Sequence, residues 1–585
     1  MDRKKTTAHP ATRLGTGFPQ WPLWAGLAAL CLAAALWRLG VYAPLEPITD
    51  QVFLIQWIKR LRLASHVLPV AGDTQSFLQA LMQDDHSLLN IYLRQVYAAQ
   101  VHVFTVFSVI WFYAWSFVAG TAIDGQVAIS IVTSSAAVFA LSLSYIFTFT
   151  RAADERRALA RGATAVLCVV LVAANGFMSD FSATGAHNAS ILAFFCALVF
   201  TARWLRAGGF AAGSMPTTGT FLVQIVALYT YYTNVFLLPP ATFLAIIFAA
   251  GGTWPGKLRH AGLYAGFILL VMTPALALIA IDAAGLVGVS SSSTFVHVGR
   301  EVVVSGTEVI GNALHRLVVW IHAHAGMLGG AMLVAGIAGL LALWWIERAA
   351  LFFFVLVAHL VASSALKGFS YFQKTSGYIV PVLLLGAAYL TVRGFATAFS
   401  CLRPAPPWKY ALVAAGLVPA VVTCFYMYTE MSRFHVYPRQ SRMATHVIKG
   451  QQLRHVIADL DSKLRPGTTI IPGDDQAGQI YMAYSPRAGV EVGVFRPLDT
   501  LIAKKTSGQL GDYIARRGLA LPPKETLALL LAPTDAVGAR GDKISNLFGP
   551  DGFGLTGPVR LEHVHTWATG GRGSAIPALG LYRIR

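Results

Sequence analysis

The sequence carries little charge. Only 12% of its 585 residues are Asp, Glu, Lys or Arg, whereas a soluble globular protein carries about 25%. Mean hydropathy is +0.58 and 55% of the residues are hydrophobic. The composition therefore excludes an ordinary soluble protein. Apolar runs of about 17–25 residues have the length that a bilayer core requires, and in lipid such runs must be helices.

Cysteine is also scarce. The five cysteines are Cys31, Cys168, Cys196, Cys401 and Cys424. None lies in a large polar segment, which excludes a disulfide framework and a cysteine-based zinc site. His322 and His324 would point in different directions on a helix, whereas His563 and His565 would share one strand face without a third ligand. No metal site is supported, and the need for a divalent cation stays open.

Acidic residues are outnumbered by basic ones, 27 to 45, which gives a net charge of +18. An excess of base can indicate a nucleic-acid partner. Here Lys and Arg lie mostly in short loops between apolar runs, which favours a role in membrane topology. Attraction to anionic membrane lipids or phosphorylated substrates is the second interpretation. We therefore expect no nucleic-acid partner.

The basic tail, residues 1–20, predicts a cytoplasmic N-terminus. The first apolar run, 21–43, lacks a cleavage site and predicts an uncleaved span. The four-arginine loop 151–161 falls on the cytoplasmic side only if the aromatic stretch 102–120 does not cross the membrane. That stretch is therefore predicted to be an interfacial helix.

The apolar runs and the basic loops together predict a polytopic α-helical membrane protein of about eleven spans. Residues 21–430 form the transmembrane domain, in which 44–127 and 284–325 are outer loops. Residues 431–585 form an outer α/β domain, with a helix at 451–464, strands at 468–472, 490–495 and 527–531, and a hairpin over 559–585. No internal repeat of the transporter kind is evident. The predicted location is the inner (cytoplasmic) membrane.

Two carboxylates are predicted to lie at the outer face. Asp50 follows the first span and precedes a helix, where an acid is either an N-cap or a functional group. Asp180 lies at the outer end of the third span, where it is either a solvated loop residue or a partner of Asp50. Two carboxylates at one face can serve as general base and positioning group.

A third segment precedes the tenth span. Lys367 and Lys374 lie there among aromatic residues and Tyr378. Lysines at the level of the lipid head groups are typical of sites that hold a lipid phosphate. Anchoring of the helix in the membrane is the alternative interpretation.

Together these segments resemble the bacterial GT-C glycosyltransferases, the group that includes protein O-mannosyltransferases and the aminoarabinose transferases of lipid A. In that family the outer loop opens with an Asp-Glu pair, and here Asp50 and Gln51 stand there. His86 and His102 are candidates for a His/Lys-Pro-Pro-Leu-type segment, without its prolines.

The resemblance continues through residues 20–430. Asp180 and His187 stand where many members carry an acid and then an arginine. Lys374 and the stretch 378–381 resemble the start of a late span that carries Arg-Tyr and Pro in the family.

The resemblance implies transfer of a sugar from a polyprenyl-phosphate donor to an acceptor hydroxyl outside the cytoplasm, where a nucleotide sugar would not be available.

 In this reading Asp50 is the general base, with Asp180 as the second catalytic carboxylate, in an inverting mechanism. The donor phosphate is bound by Lys374, Tyr378, His102 and Lys367, and the acceptor or the base is oriented by His187, His86 and Gln51. The acceptor is a lipid, a glycan or a protein.

Two other functions remain open from the residues. One is a transporter or flippase of lipid-linked glycans, which would carry charged residues in mid-span and internal symmetry. The other is a non-catalytic membrane protein whose outer domain binds a partner.

Overall fold

The structure is a computed structural model in which these residues are described: 21–42, 58, 106–120, 123–149, 155–184, 187–248, 253–283, 306–365, 372–401, 408–433, 453–473, 475–488, 491–495, 498–511, 527–531, 541–549, 552–553, 560–568 and 578–584. Up to residue 433 they form α-helices and one short 3-10 turn, Gly209–Ala212. The helices are α1 (Trp21–Tyr42), α2 (Val106–Ala119), α3 (Ile123–Thr148), α4 (Glu155–Ala174), α5 (Gly176–Thr184), α6 (Asn188–Arg206), α7 (Ser214–Leu228), α8 (Tyr232–Phe248), α9 (Trp254–Ala283), α10 (Gly306–Leu328), α11 (Gly330–Glu347), α12 (Ala350–Ala365), α13 (Phe372–Cys401) and α14 (Trp408–Arg433).

Every predicted span corresponds to one of these helices. Among the described residues, eight helices are long and apolar enough to cross a bilayer, namely α1, α3, α4, α6, α9, α11, α13 and α14. Three predicted spans correspond to the shorter apolar helices α7, α8 and α12. The predicted fold class, a polytopic helical membrane protein, is confirmed.

The aromatic helix α2 lies across one end of the bundle. At its start, Ser108 Oγ donates to the carbonyl of Thr230, in the turn between α7 and α8. Just beyond its last residue, the carbonyl of Gly120 accepts from Gln126 Nε2, in the first turn of α3. A helix of 14 residues spans only about 21 Å. Both ends of α2 therefore contact the same end of the bundle, as the prediction of a non-crossing helix requires.

Helix α10 lies across the same end, within a segment that the sequence predicted to be largely loop. In its middle, Arg316 Nη1 donates to the carbonyl of Ser364, in the last turn of α12. Near its end, the carbonyl of Met327 accepts from Asn175 Nδ2, between α4 and α5. Its buried side chains, including Trp320 and His324, recur with helical spacing. This amphipathic pattern, without a continuous apolar run, is why hydropathy indicated a loop.

Small residues allow a close helix contact between α11 and α13. A Cβ atom added to Gly339 would stand 1.8 Å from the carbonyl oxygen of Gly386, and one added to Gly336 would stand 2.7 Å from that of Leu383. Helices in membranes associate through such small residues because their backbones can then approach closely.

The C-terminal residues form an α/β domain, as predicted. Its elements are α15 (Leu453–Lys463), β1 (Thr469–Pro472), α16 (Asp475–Tyr484), β2 (Gly493–Val494), α17 (Leu498–Thr506), β3 (Leu527–Leu531), α18 (Gly541–Phe548), β4 (Leu561–Ala568) and β5 (Ala578–Ile584). The strand order is β2-β1-β3-β5-β4. Strand β1 pairs in parallel with β2 and β3, whereas β5 is antiparallel to β3 and β4. The last two strands are the predicted hairpin.

This domain packs on the end of the bundle where α1 finishes and α3 begins. One buried apolar cluster joins Ala35 of α1 and Ile131 of α3 to Ile457 and Leu460 of α15. The guanidinium of Arg454 pairs with the carboxylate of Asp124 at the rim of this contact. The domain therefore lies at the same end of the bundle as α2.

Basic side chains gather at the opposite end. The N-terminal turns of α1 lie there, since Trp24 packs against Phe147 near the end of α3. The arginines and lysine that flank helices at this end are Arg157, Arg161, Arg203, Arg206, Lys257, Arg348 and Arg393. By the positive-inside rule, this distribution favours a cytoplasmic basic end and an outer end that carries the domain.

Candidate functional site at the domain-bearing end

The structure brings three of the predicted site residues to one place. Asp180, His187 and Tyr378 belong to α5, the start of α6 and the first turns of α13. Lys374 lies in the first turn of α13, one helical turn before Tyr378. The remaining predicted site residues, Asp50, Gln51, His86, His102 and Lys367, lie outside the described residues.

Asp180 lies inside a short helix and is buried. The third span ends at Ala174, and α5 begins after a break at Asn175. Only 3% of Asp180 is exposed, so its interpretation as a solvated loop residue is wrong. A buried carboxylate is costly unless it is paired or takes up a proton. A buried acid at the end of a membrane bundle is therefore a candidate functional group.

His187 contacts Phe181, the residue that follows Asp180. The ring of Phe181 is stacked on that of His187 at 6.5 Å between centroids. Tyr231, before α8, meets His187 edge-on at 4.6 Å. Asn188 Nδ2 donates to the carbonyl of Ser182 and to Ser130 Oγ of α3. These contacts fix the start of α6 against the end of α5.

Tyr378 holds the start of α13 against the same elements. Its hydroxyl shares a hydrogen bond of 2.5 Å with Ser190 Oγ of α6. The preceding residue, Gly377, has no side chain, and Phe181 and Ile191 pack where a Cβ would stand. The backbone of α13 can therefore approach Phe181 closely, which brings the residues after Lys374 next to the helix that carries Asp180.

A histidine pair supports α13 from the other side. His324 Nδ1 lies 2.8 Å from the carbonyl of Trp320, which can only accept, so Nδ1 carries the proton. His324 Nε2 then accepts from Ser376 Oγ at 3.1 Å. Trp320 Nε1 donates to His359 Nδ1 of α12 at 3.0 Å. The segment that holds Lys374 and Tyr378 thus lies between α6 and α10.

The sequence analysis missed several buried polar residues at this end. Asn175 and Tyr426 share a hydrogen bond, and Glu430 contacts the backbone at the start of α5. Arg38, near the end of α1, is 1% exposed and donates to the carbonyl of Val172 in the last turn of α4. The available signal was an ionisable residue within or beside an apolar span, which membrane helices carry only at a cost.

Metal ligands do not cluster in the described part of the chain. No group of three or more His, Cys, Asp or Glu side chains lies together there in a way that could hold a metal ion. His322 is exposed whereas His324 is buried, so the two point in different directions, as predicted.

Solved structures include chains of similar overall architecture. ArnT from Cupriavidus metallidurans matches in the apo state with a TM-score of 0.47 and in the undecaprenyl phosphate-bound state with 0.49. Each shares 12% identity, covering 95% of this chain and 98% of that chain. The Archaeoglobus fulgidus oligosaccharyltransferase, in complex with Zn and sulfate, matches with a TM-score of 0.42 and 11% identity, covering 77% of this chain and 62% of that chain.

ArnT is a lipid A aminoarabinose transferase, one of the group that the sequence resembles. At these identities and TM-scores, the similarity assigns no role to any residue of this chain. No family model matches the sequence, and no curated protein matches it. The roles of Asp180, His187 and Tyr378 must therefore be argued from their own surroundings.

Proposed function

We propose that the chain is an integral membrane glycosyltransferase that moves a sugar from a polyprenyl-phosphate donor to an acceptor hydroxyl on the outer side of the membrane. The observation that carries the proposal is the burial of Asp180 on α5, whose next residue, Phe181, packs against His187 and the start of α13 at the end of the bundle that bears the C-terminal domain. The basic loops lie at the other end.

The start of α13 suits the phosphate of such a donor. Helix α13 has 30 residues, and the N-terminus of a helix favours an anion through its free N–H groups and its dipole. Lys374 and Tyr378 are four residues apart in its first turns. As the sugar leaves, charge grows on the phosphate, and a lysine ammonium group such as that of Lys374 would stabilise that charge.

The acceptor hydroxyl needs a base. In the proposal, Asp50 takes its proton and Asp180 orients the acceptor or supports the base, in keeping with the sequence resemblance. The C1–phosphate bond breaks as the new C1–oxygen bond forms on the opposite face of the sugar. One base suffices for this inversion, and no covalent intermediate with the protein is needed.

The buried ionisable groups favour this function over transport. Within the described helices, Arg38, Asp180 and Glu430 all lie at one end of the bundle. A transport path would instead carry ionisable groups at mid-depth. The lipid of a polyprenyl-phosphate donor stays in the membrane while its head group reacts at the surface. An enzyme for this donor therefore needs ionisable groups only at the membrane surface.

The test compares surface glycans and glycoproteins by mass spectrometry in a deletion strain. The strain is complemented with the natural chain, Asp50→Asn, Asp180→Asn or Asp542→Asn. Asp542 is exposed in the C-terminal domain and serves as the matched control. We expect the control to restore the missing glycan and the first two variants to lower its transfer by about 10²-fold or more.

Two results would decide against the proposal. Full transfer by both Asp50→Asn and Asp180→Asn, at normal levels in the membrane, removes these acids from the mechanism. Restored modification when the donor is supplied on the outer side of deletion-strain membranes identifies a flippase instead.

The side of the membrane is tested by labelling. In a cysteine-free background, Arg454→Cys should react with a membrane-impermeant maleimide in intact cells, and Arg157→Cys only after permeabilisation. Both positions are exposed and lie at opposite ends of the bundle. The reverse pattern would place the site in the cytoplasm and overturn the outer-side reaction.

A further inference from the structure

We propose that Glu430, together with Asn175 and Tyr426, is a positioning device that sets the orientation of Asp180. This inference rests on the proposed function, because it concerns how Asp180 is held for the same reaction. These residues belong to α14 and to the break between α4 and α5, and none of them was predicted from the sequence.

Glu430 holds the first residue of α5. Its Oε2 atom accepts a hydrogen bond of 2.7 Å from the backbone N–H of Gly176. The side chain is 8% exposed and lies in the last turn of α14. A carboxylate at a helix N-terminus is stabilised by free N–H groups and by the helix dipole. The buried charge of Glu430 thus has a specific partner, the start of the helix that carries Asp180.

Asn175 holds the same helix end from a second direction. Its Oδ1 atom accepts from the backbone N–H of Met178 at 2.8 Å, the arrangement of an N-cap. Its Nδ2 atom donates to the hydroxyl of Tyr426 at 2.7 Å and to the carbonyl of Met327 at 3.1 Å. One fully buried amide therefore joins α5 to both α14 and α10.

Because α5 is short, the contacts at its start affect the position of the Asp180 carboxylate. The helix has nine residues, about 13 Å. Asp180 lies about one turn from Gly176, so a tilt or rotation at the start of α5 moves its carboxylate directly. A displacement of about 1 Å at a reacting group can lower a rate by about 10²-fold.

The test uses matched variants on α14. Tyr426→Phe removes the hydroxyl that accepts from Asn175, and Tyr428→Phe makes the same change at a side chain that is 73% exposed. Glu430→Gln keeps an oxygen that can accept from Gly176, whereas Glu430→Leu removes it. Transfer is the rate at which the glycan missing from the deletion strain reappears, at equal protein levels, and the thermal midpoint of each purified variant is measured in detergent.

We expect Glu430→Leu to lower the rate 10- to 100-fold and Tyr426→Phe to lower it about threefold or more. Glu430→Gln should stay within about threefold of the natural chain, and Tyr428→Phe should not change the rate. In an Asp180→Asn background, Glu430→Leu should cause no further loss, because it acts through Asp180. If the residual rate of Asp180→Asn is too low to measure a further loss, the comparison of Glu430→Gln with Glu430→Leu still tests the positioning role.

Three outcomes separate the possibilities. If Asp180→Asn keeps full transfer, the role of Asp180 in the proposed function fails. If Asp180→Asn loses transfer while Glu430→Leu keeps it, the positioning inference alone is overturned. The positioning inference is also overturned if Glu430→Gln and Glu430→Leu lower the rate and the thermal midpoint equally, because a purely structural role predicts that result.

Discussion

The backbone of Gly377 lies against the ring of Phe181, the residue that follows Asp180. A Cβ atom at position 377 would stand 2.7 Å from Phe181 Cε1 and 2.8 Å from Ile191 Cδ1. Both side chains are buried, so neither can move away without disturbing its own neighbours. This contact sets how closely α13 approaches α5 and α6.

The first prediction is that Gly377→Ala lowers transfer by at least tenfold. The added methyl group must push α5 away from α13, at an overpacking cost of about 1–3 kcal/mol. The rate and the thermal midpoint should both fall. Gly266→Ala on α9, where a Cβ would meet nothing within 4 Å, is the matched control and should leave both unchanged or raise the midpoint. A Gly377→Ala variant of natural activity would show that the contact does not set the site.

The contact between Gly377 and Phe181 also shows where sequence analysis stops. Apolar runs and loop charge predicted all eleven spans and the non-crossing α2, and alternating residues predicted the terminal hairpin, because each depends on neighbours in the chain. Glu430 and Gly176 are 254 positions apart. Their hydrogen bond depends on how helices pack, which the local sequence does not specify.

Helix α10 and the break at Asn175 were missed for a related reason. The outer segment before α11 lacks a continuous apolar run, and its helix forms around a buried stripe that includes Trp320 and His324. Asp180 was predicted as a candidate from its place at a span end. Its burial, which excludes a solvated loop carboxylate, is a property of the assembled bundle.

The second prediction concerns Gly339 in the contact between α11 and α13. Gly339→Ala should lower the free energy of unfolding by about 1–3 kcal/mol or more, since the new Cβ would meet a backbone carbonyl that no rotamer change can move. Gly330→Ala, at the start of the same helix, meets nothing within 4 Å and should be tolerated. Thermal denaturation in detergent measures both. Equal midpoints for the two variants would refute the close contact.

The third prediction separates two parts of the domain contact. Ile131→Ala removes apolar volume from the cluster that joins α3 to the domain and should cost about 2–5 kcal/mol. Arg454→Ala breaks an ion pair whose side chains are 41% and 52% exposed, and should cost at most about 1 kcal/mol. Hydrogen exchange in α15 should rise strongly in the first variant and slightly in the second. The opposite ranking would mean that charge holds the domain in place.

The fourth prediction is a loss of domain stability at alkaline pH. Burial, with a hydrogen bond to the carboxylate of Asp461, holds the pKa of Tyr481 above its usual value of 10.0. Below pH 10 the hydroxyl is protonated in both the folded and the unfolded state. Above pH 10 the unfolded chain releases this proton first, so stability should fall by about 1.4 kcal/mol per pH unit.

Unfolding of the C-terminal domain, followed by hydrogen exchange between pH 8 and 11, measures this loss. Tyr481→Phe should be less stable at pH 8, since Asp461 then loses the hydrogen bond from the tyrosine hydroxyl and keeps those from Ser485. Its stability should also fall less steeply above pH 10. An equally steep fall in the variant would assign the alkaline loss to other groups.

The strand order of the C-terminal domain has a consequence for biosynthesis. Strand β5 lies between β3 and β4, so β4 joins the sheet only through a strand that the ribosome makes after it. Arg454 and Asp124, which meet where the domain contacts α3, are 330 positions apart. Helices α1 and α3 are therefore inserted into the membrane long before α15, which packs on them, is synthesised. A nascent chain that stalls ahead of β5 would leave β4 unpaired and the edge of β3 open to proteases and chaperones.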